Sequence, residues 1–153
     1  MGALNHLIAP RRPARQQPGV TLRSPLGALL LTQLERLGMP AGAVPTQGPT
    51  GSAWSRAYIL GAACASLQHQ PAAPSSDQEC FGVALTAFAL TYGEPAARAI
   101  LAETIAAAEA REPEVEDGLL IGAADLALVA TAGADAPALH FAARIREERA
   151  ERV

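Results

Sequence analysis

Asp125 is the residue whose type and position most clearly suggest chemistry. It is the only charged residue in the run from Gly118 to Ala134, which otherwise has a helical pattern. An unpaired buried carboxylate is costly, so this side chain must reach water, pair with a cation or take up a proton. Three interpretations stay open: a solvent-facing surface of glycine and aspartate, a partly buried ion pair with Arg56 or Arg98, and an acid that binds a ligand or acts in catalysis.

Two aromatic residues could share a pocket with this acid. Trp54 and Tyr58 are four residues apart in a segment with helical spacing, so they are expected on one face of a helix. If that helix packs near Asp125, the three side chains would surround a small ligand with both apolar and polar groups. We therefore consider a ligand-binding or regulatory helical domain as the alternative function.

Metal and cofactor chemistry is poorly supported. The three histidines, His6, His69 and His140, include no pair at the i, i+4 spacing of helical zinc sites, and the two cysteines are far apart in sequence. His69 could approach Cys80 across a turn, but two ligands do not make a site. The sequence therefore predicts no metal and no cofactor.

The chain contains no lysine, since all its basic residues are arginines. Enzymes that form a Schiff base with lysine, including pyridoxal phosphate enzymes, and ordinary P-loop nucleotide hydrolases are thereby excluded. No Gly-x-Ser-x-Gly motif is present either. The sequence thus favours a protein that is not an enzyme, although a scattered catalytic triad is not excluded before the fold is known, and a cleft with Asp125 beside His140 or His69 would favour an enzyme.

Alanine-rich segments predict the elements that must position these residues. Alanine is the strongest helix former, and no segment alternates β-branched and aromatic residues as a strand would. We predict an all-α fold, a compact bundle of five to six mostly antiparallel helices, with an extended N-terminal arm at 1–23 and a helical domain at 24–153. The predicted helices span about 24–38, 52–68, 76–93, 95–111 and 113–133, with a sixth that starts at Asp135 and Pro137.

Two further expectations concern packing. The third predicted helix is apolar on all sides, which is typical of a helix at the centre of a bundle. Gly118 and Gly122 have the spacing that lets another helix approach closely.

The longest uncharged apolar run inside a predicted helix, from Cys80 to Gly93, is too short for a membrane span of about 20 residues.

Charge is distributed unevenly along the chain. The arm carries four arginines and no acid, whereas residues 77–125 carry ten acids and two arginines. Two interpretations of the arm stay open: a disordered leader, and a tether that folds on a partner, since arginine favours bidentate contacts with carboxylate or phosphate. Nucleic acid is disfavoured, since the acidic body would be repelled by phosphates. The four predicted partner-binding residues are Arg11, Arg12, Arg15 and Arg23.

These observations favour an interaction protein without catalytic activity. It would serve as an accessory, adaptor or structural subunit of a larger bacterial or phage protein assembly, with the basic arm as its tether. Self-association is one form of this hypothesis, with the arm of one copy against the acidic 103–117 surface of another. Two isolated cysteines in apolar surroundings favour a reducing, cytoplasmic location. The alternative, for a phage-encoded chain, is association with the virion.

Overall fold

The structure is a computed structural model that describes residues 24–69, 76–133 and 139–152. Within these ranges the chain forms six α-helices and no strand, which confirms the predicted all-α class. Short 3-10 turns at Pro49–Gly51 and Leu67–His69 precede and follow the second helix. The helices are α1 (Pro25–Leu37), α2 (Ala53–Ser66), α3 (Asp77–Tyr92), α4 (Glu94–Glu109), α5 (Pro113–Ala132) and α6 (His140–Glu151).

Local capping signals set the ends of the first helices where the sequence predicts them. The Ser24 hydroxyl accepts a hydrogen bond from the Gly27 amide at 2.9 Å, and Gly38 ends α1 with a left-handed φ of 68°. Ser76 caps α3 in the same way, by accepting from the Glu79 amide at 3.2 Å. Pro113 occupies the first turn of α5, as predicted.

The centre of the bundle is α2 and not α3, so the expectation from the apolar pattern of α3 is wrong. Ala57, Tyr58 and Ile59 of α2 are fully buried, and α2 packs against α1, α3, α4 and α5. By contrast, Phe81 of α3 is 39% exposed. The small residues of α2 explain the difference, because they allow neighbouring helices to approach it from several sides.

The closest helix pair is α2 with α5, and these two helices run in the same direction. A β-carbon added to Gly118 would meet the Trp54 carbonyl and Ala57, and one added to Gly122 would lie 2.0 Å from the carbonyl oxygen of Tyr58. The two glycines therefore permit close helix approach, as their spacing predicts. This parallel pair is an exception to the antiparallel order that short connections would give, because α3 and α4 lie between the two helices in the chain.

The last helix begins at His140, with Leu139 as its N-cap residue. Phe141, Ala142 and Ile145 of α6 are buried, and the helix packs against α1 and α5. The predicted start at Asp135 and Pro137 lies outside the described residues, as does the whole arm at 1–23.

Candidate functional site

Asp125 is the centre of a buried hydrogen-bond network. The residue is only 2% exposed. One carboxylate oxygen, Oδ2, accepts from the Tyr58 hydroxyl at 2.6 Å and from the His140 backbone amide at 2.8 Å. The other, Oδ1, lies 2.8 Å from Nδ1 of the His140 ring. Both oxygens of this acid are thus engaged by neighbouring helices.

Gln33 of α1 extends the network. Its side-chain Nε2 donates to the Tyr58 hydroxyl at 3.0 Å, and its Oε1 accepts from the Ala142 amide at 2.9 Å. Asp125 and Gln33 therefore satisfy two backbone N–H groups in the first turn of α6, which a helix cannot satisfy within itself. A negative charge at this end of a helix is also favoured by the helix dipole. The network consequently joins α1, α2, α5 and α6.

The structure corrects two interpretations of Asp125. The glycines at 118 and 122 do not form a solvent-facing surface with it, because that side of α5 is the interface with α2. Nor does an arginine pair with it: Arg56 instead binds Glu103 at 3.4 Å and the Thr46 carbonyl at 2.8 Å, and Arg98 is exposed. A tyrosine, an imidazole and a helix N-terminus take the place of the expected cation.

Tyr58 is held in its neutral form. Burial raises the pKa of its hydroxyl far above the ordinary value of 10.0, and the hydrogen bond to the Asp125 carboxylate raises it further. The hydroxyl therefore serves as a permanent donor to Asp125 while it accepts from Gln33. This arrangement leaves no polar atom of Tyr58 unpaired in the core, as a stable buried network requires.

Trp54 lies beside Tyr58, with the ring centroids 5.4 Å apart. Its indole N–H donates to Oδ2 of Asp117 at 2.7 Å, and the guanidinium of Arg144 stacks 4.4 Å from the centre of its ring. The structure thus brings Trp54, Tyr58 and Asp125 into one region, as the ligand-pocket hypothesis supposed. All three are buried and hydrogen-bonded within the protein, which favours a structural role for them.

His140 is the member of the network that reaches solvent. Its side chain is 53% exposed, although its Nδ1 faces the buried carboxylate. A carboxylate on Nδ1 fixes the ring orientation and directs Nε2 outward, a geometry that both catalytic bases and metal ligands use. However, no group of three or more histidine, cysteine, aspartate or glutamate side chains in the described parts of the chain could hold a metal ion.

Sequence reasoning assigned no role to Gln33, and it named His140 only as a residue that would favour an enzyme if it lay beside Asp125 in a cleft; the structure does place the His140 ring against Asp125. Gln33 did leave a signal, because it is the one polar residue in a stripe of leucines with helical spacing on α1. For His140 the sequence could not choose between this residue and His69 as the neighbour of Asp125, since the contact depends on where α6 begins. The four arginines predicted to bind a partner, Arg11, Arg12, Arg15 and Arg23, lie outside the described residues, and the side chain of His69 is likewise not described.

Comparisons of the chain with protein-family models, curated proteins and solved structures found no match. Function must therefore be argued from the surface and the chemistry of this chain. Among the described helices, none has the length and apolar character needed to cross a membrane.

Proposed function

We propose that the chain is an interaction protein without catalytic activity, which joins a larger assembly by docking the N-terminal segment of a second copy on its α5 surface. We define the α5 surface as the acidic corner at residues 103–117, where α4 ends and α5 begins, together with the outward-facing stripe of Leu120, Ala124 and Leu128. The single observation that carries the proposal is Leu120 on that stripe, which is 69% exposed. A contiguous exposed apolar stripe is typical of a protein-binding surface, whereas a single exposed apolar side chain is ordinary.

The stripe continues for more than two turns of α5. Ala124 is exposed and Leu128 is 39% exposed, so the three residues recur at i, i+4 and i+8 on one side of the helix. Asp117 is also exposed and lies one turn before Leu120. A partner with apolar residues flanked by cations would match this order of groups.

The acidic corner supplies the charge. Residues 103–117 hold six acids and one arginine, a net charge of −5. Some of these acids are already paired, since Glu114 lies 3.7 Å from Arg144 and Glu116 lies 2.7 Å from Arg111. Glu109 and Glu112 are exposed and have no ion pair among the described residues, so their carboxylates remain available to a cationic partner.

The N-terminal segment of the chain has the complementary chemistry. It carries Leu4, Leu7 and Ile8 just before Arg11 and Arg12, and it has no acid up to residue 23. Its apolar residues suit the α5 stripe, and its guanidinium groups suit Glu109 and Glu112. We place this segment on a second copy, because an assembly of such chains would then use one repeated contact.

A charge-swap experiment tests the proposal on the full chain. One variant carries Arg11→Glu, Arg12→Glu and Arg15→Glu, and a second carries Glu109→Arg and Glu112→Arg. Light scattering after size exclusion should find the unaltered chain self-associated at low salt. Each variant alone should be monomeric, and an equimolar mixture of the two should associate again, because every arm then meets an oppositely charged surface.

Arg98→Glu is the matched control, because this exposed residue of α4 lies outside the proposed contact. It should associate as the unaltered chain does. A monomeric unaltered chain at all concentrations would refute self-association. Variants that stay monomeric in the mixture, together with an associated unaltered chain, would refute the assignment of the contact.

A further inference from the structure

A groove lies between α2, α3 and α4. Its volume is about 400 Å³, and apolar side chains from all three helices line it. Asp77 and Glu109 are the charged residues that contribute to its wall. The apolar lining includes Leu60, Phe81, Ala84 and Ile105.

Two thiols also line this groove. Cys64 of α2 and Cys80 of α3 face each other across the helix interface, with their sulfur atoms 2.8 Å apart. The bond length of a disulfide is about 2.05 Å, so a small movement of either helix would bring the sulfurs to bonding distance. Both cysteines are free and only partly buried, unlike an inert cysteine in a closed core.

We infer that Cys64 and Cys80 form a redox-active dithiol site, which reduces small uncharged disulfides that enter the groove and is itself converted to an intramolecular disulfide. The thiolate of one cysteine attacks a sulfur of the small disulfide, and one small thiol leaves with the proton released by the protein. The second cysteine then attacks the mixed disulfide and releases the second small thiol with the second proton. Two electrons pass from the protein to the small disulfide, and its products are two thiols.

The two thiols are equivalent in the geometry of the groove, since both are partly buried and line its wall. Burial, together with the contact with Cys80, raises the pKa of the Cys64 thiol to about 12. Whichever thiol ionises makes the first attack, and the other resolves the mixed disulfide. An uncharged disulfide suits the groove, since the carboxylates of Asp77 and Glu109 would repel an anionic one.

The test uses bis(hydroxyethyl) disulfide on the reduced full-length chain without denaturant. Intact mass spectrometry should find the loss of two hydrogen atoms and no adduct. A glutamate-specific protease separates the cysteines by cleavage after Glu79, so the two fragments should stay joined until a reductant is added. A chain that carries two adducts, or that remains a dithiol, would overturn the inference.

Single variants test the two-step reaction. Cys64→Ser and Cys80→Ser should each stop as a stable adduct of one hydroxyethyl thiol on the remaining cysteine, because no second thiol is left to resolve it. Far-ultraviolet circular dichroism checks that each variant is folded, and a single variant that releases its adduct without added reductant would contradict the resolving step.

Discussion

Replacement of Gly122 by alanine tests the helix pair that positions the Asp125 network. A β-carbon at this position would lie 2.0 Å from the carbonyl oxygen of Tyr58 and 2.8 Å from its carbonyl carbon. Non-bonded contacts of this kind are normally about 3.5 Å or longer. Both obstacles belong to the backbone of α2, so no side-chain rotation relieves them and α5 must move away from α2.

The expected cost follows from two opposing contributions. Alanine is favoured over glycine inside a helix by about 1 kcal/mol. Overpacking of a well-packed core costs about 1–3 kcal/mol, and a collision with backbone belongs at or above the upper end of that range. We therefore expect Gly122→Ala to lower the free energy of unfolding by about 2 kcal/mol or more.

Gly82→Ala is the matched control, because this glycine also lies inside a helix but an added β-carbon would meet nothing within 4 Å. Only the helix propensity remains there, so the free energy of unfolding should rise by about 0.5–1 kcal/mol. Urea unfolding followed by far-ultraviolet circular dichroism measures both variants. If Gly122→Ala stabilised the protein as Gly82→Ala does, the close approach of α2 and α5 would be refuted.

Three further results are expected. Asp125→Ala should lower the free energy of unfolding by about 1–3 kcal/mol, because the Tyr58 hydroxyl and the His140 amide then lose their acceptor. A double-mutant cycle with Tyr58→Phe should give a non-additive result in urea unfolding, and strictly additive losses would contradict the shared hydrogen bond. Burial raises the pKa of Tyr58 and of Tyr92 above the ordinary value of 10.0, so the folded state prefers neutral phenols. The contribution of these two tyrosines to stability is therefore complete below pH 10 and is lost as the pH rises above it. Phenolate absorbance should consequently appear only together with loss of helical signal, whereas titration near pH 10 with the helices intact would disprove the burial argument. Oxidation to the Cys64–Cys80 disulfide closes a loop between cysteines that are 16 residues apart, and it should raise the free energy of unfolding by about 3 kcal/mol. If the denaturant midpoints of the oxidised and reduced chains coincided, the bond would strain the fold by as much as it stabilises it.

Helix boundaries could be predicted from this sequence because the forces that set them are local. Ser24 and Ser76 satisfy backbone amides three residues away, and Gly38 adopts a left-handed φ that ends its helix. Each signal involves residues within one turn of the helix that it limits. The all-α class follows from the same local preferences, summed over an alanine-rich chain.

The surroundings of Asp125 could not be predicted, because they depend on the arrangement of helices distant in sequence. Its partners Tyr58 and His140 belong to α2 and α6, and Tyr58 is 67 residues away in the chain. Gly118 and Gly122 are compatible with two arrangements, an exposed surface or a close helix contact, and the sequence alone does not choose between them. The contact of α2 with α5 decides for the second arrangement, and tertiary packing fixes that contact.

The two sides of α5 differ in what the fold requires of them. On the inner side, Gly122 must lack a β-carbon and Asp125 must cap α6, so the fold accounts for both residues. On the outer side, Leu120 and Leu128 are exposed, and a polar residue at either position would alter stability by only about 0.5 kcal/mol. Stability of the bundle therefore does not explain an apolar outer stripe, whereas burial of that stripe against another chain would remove it from water. For this reason the proposed contact with a second copy is placed on the outer side of α5.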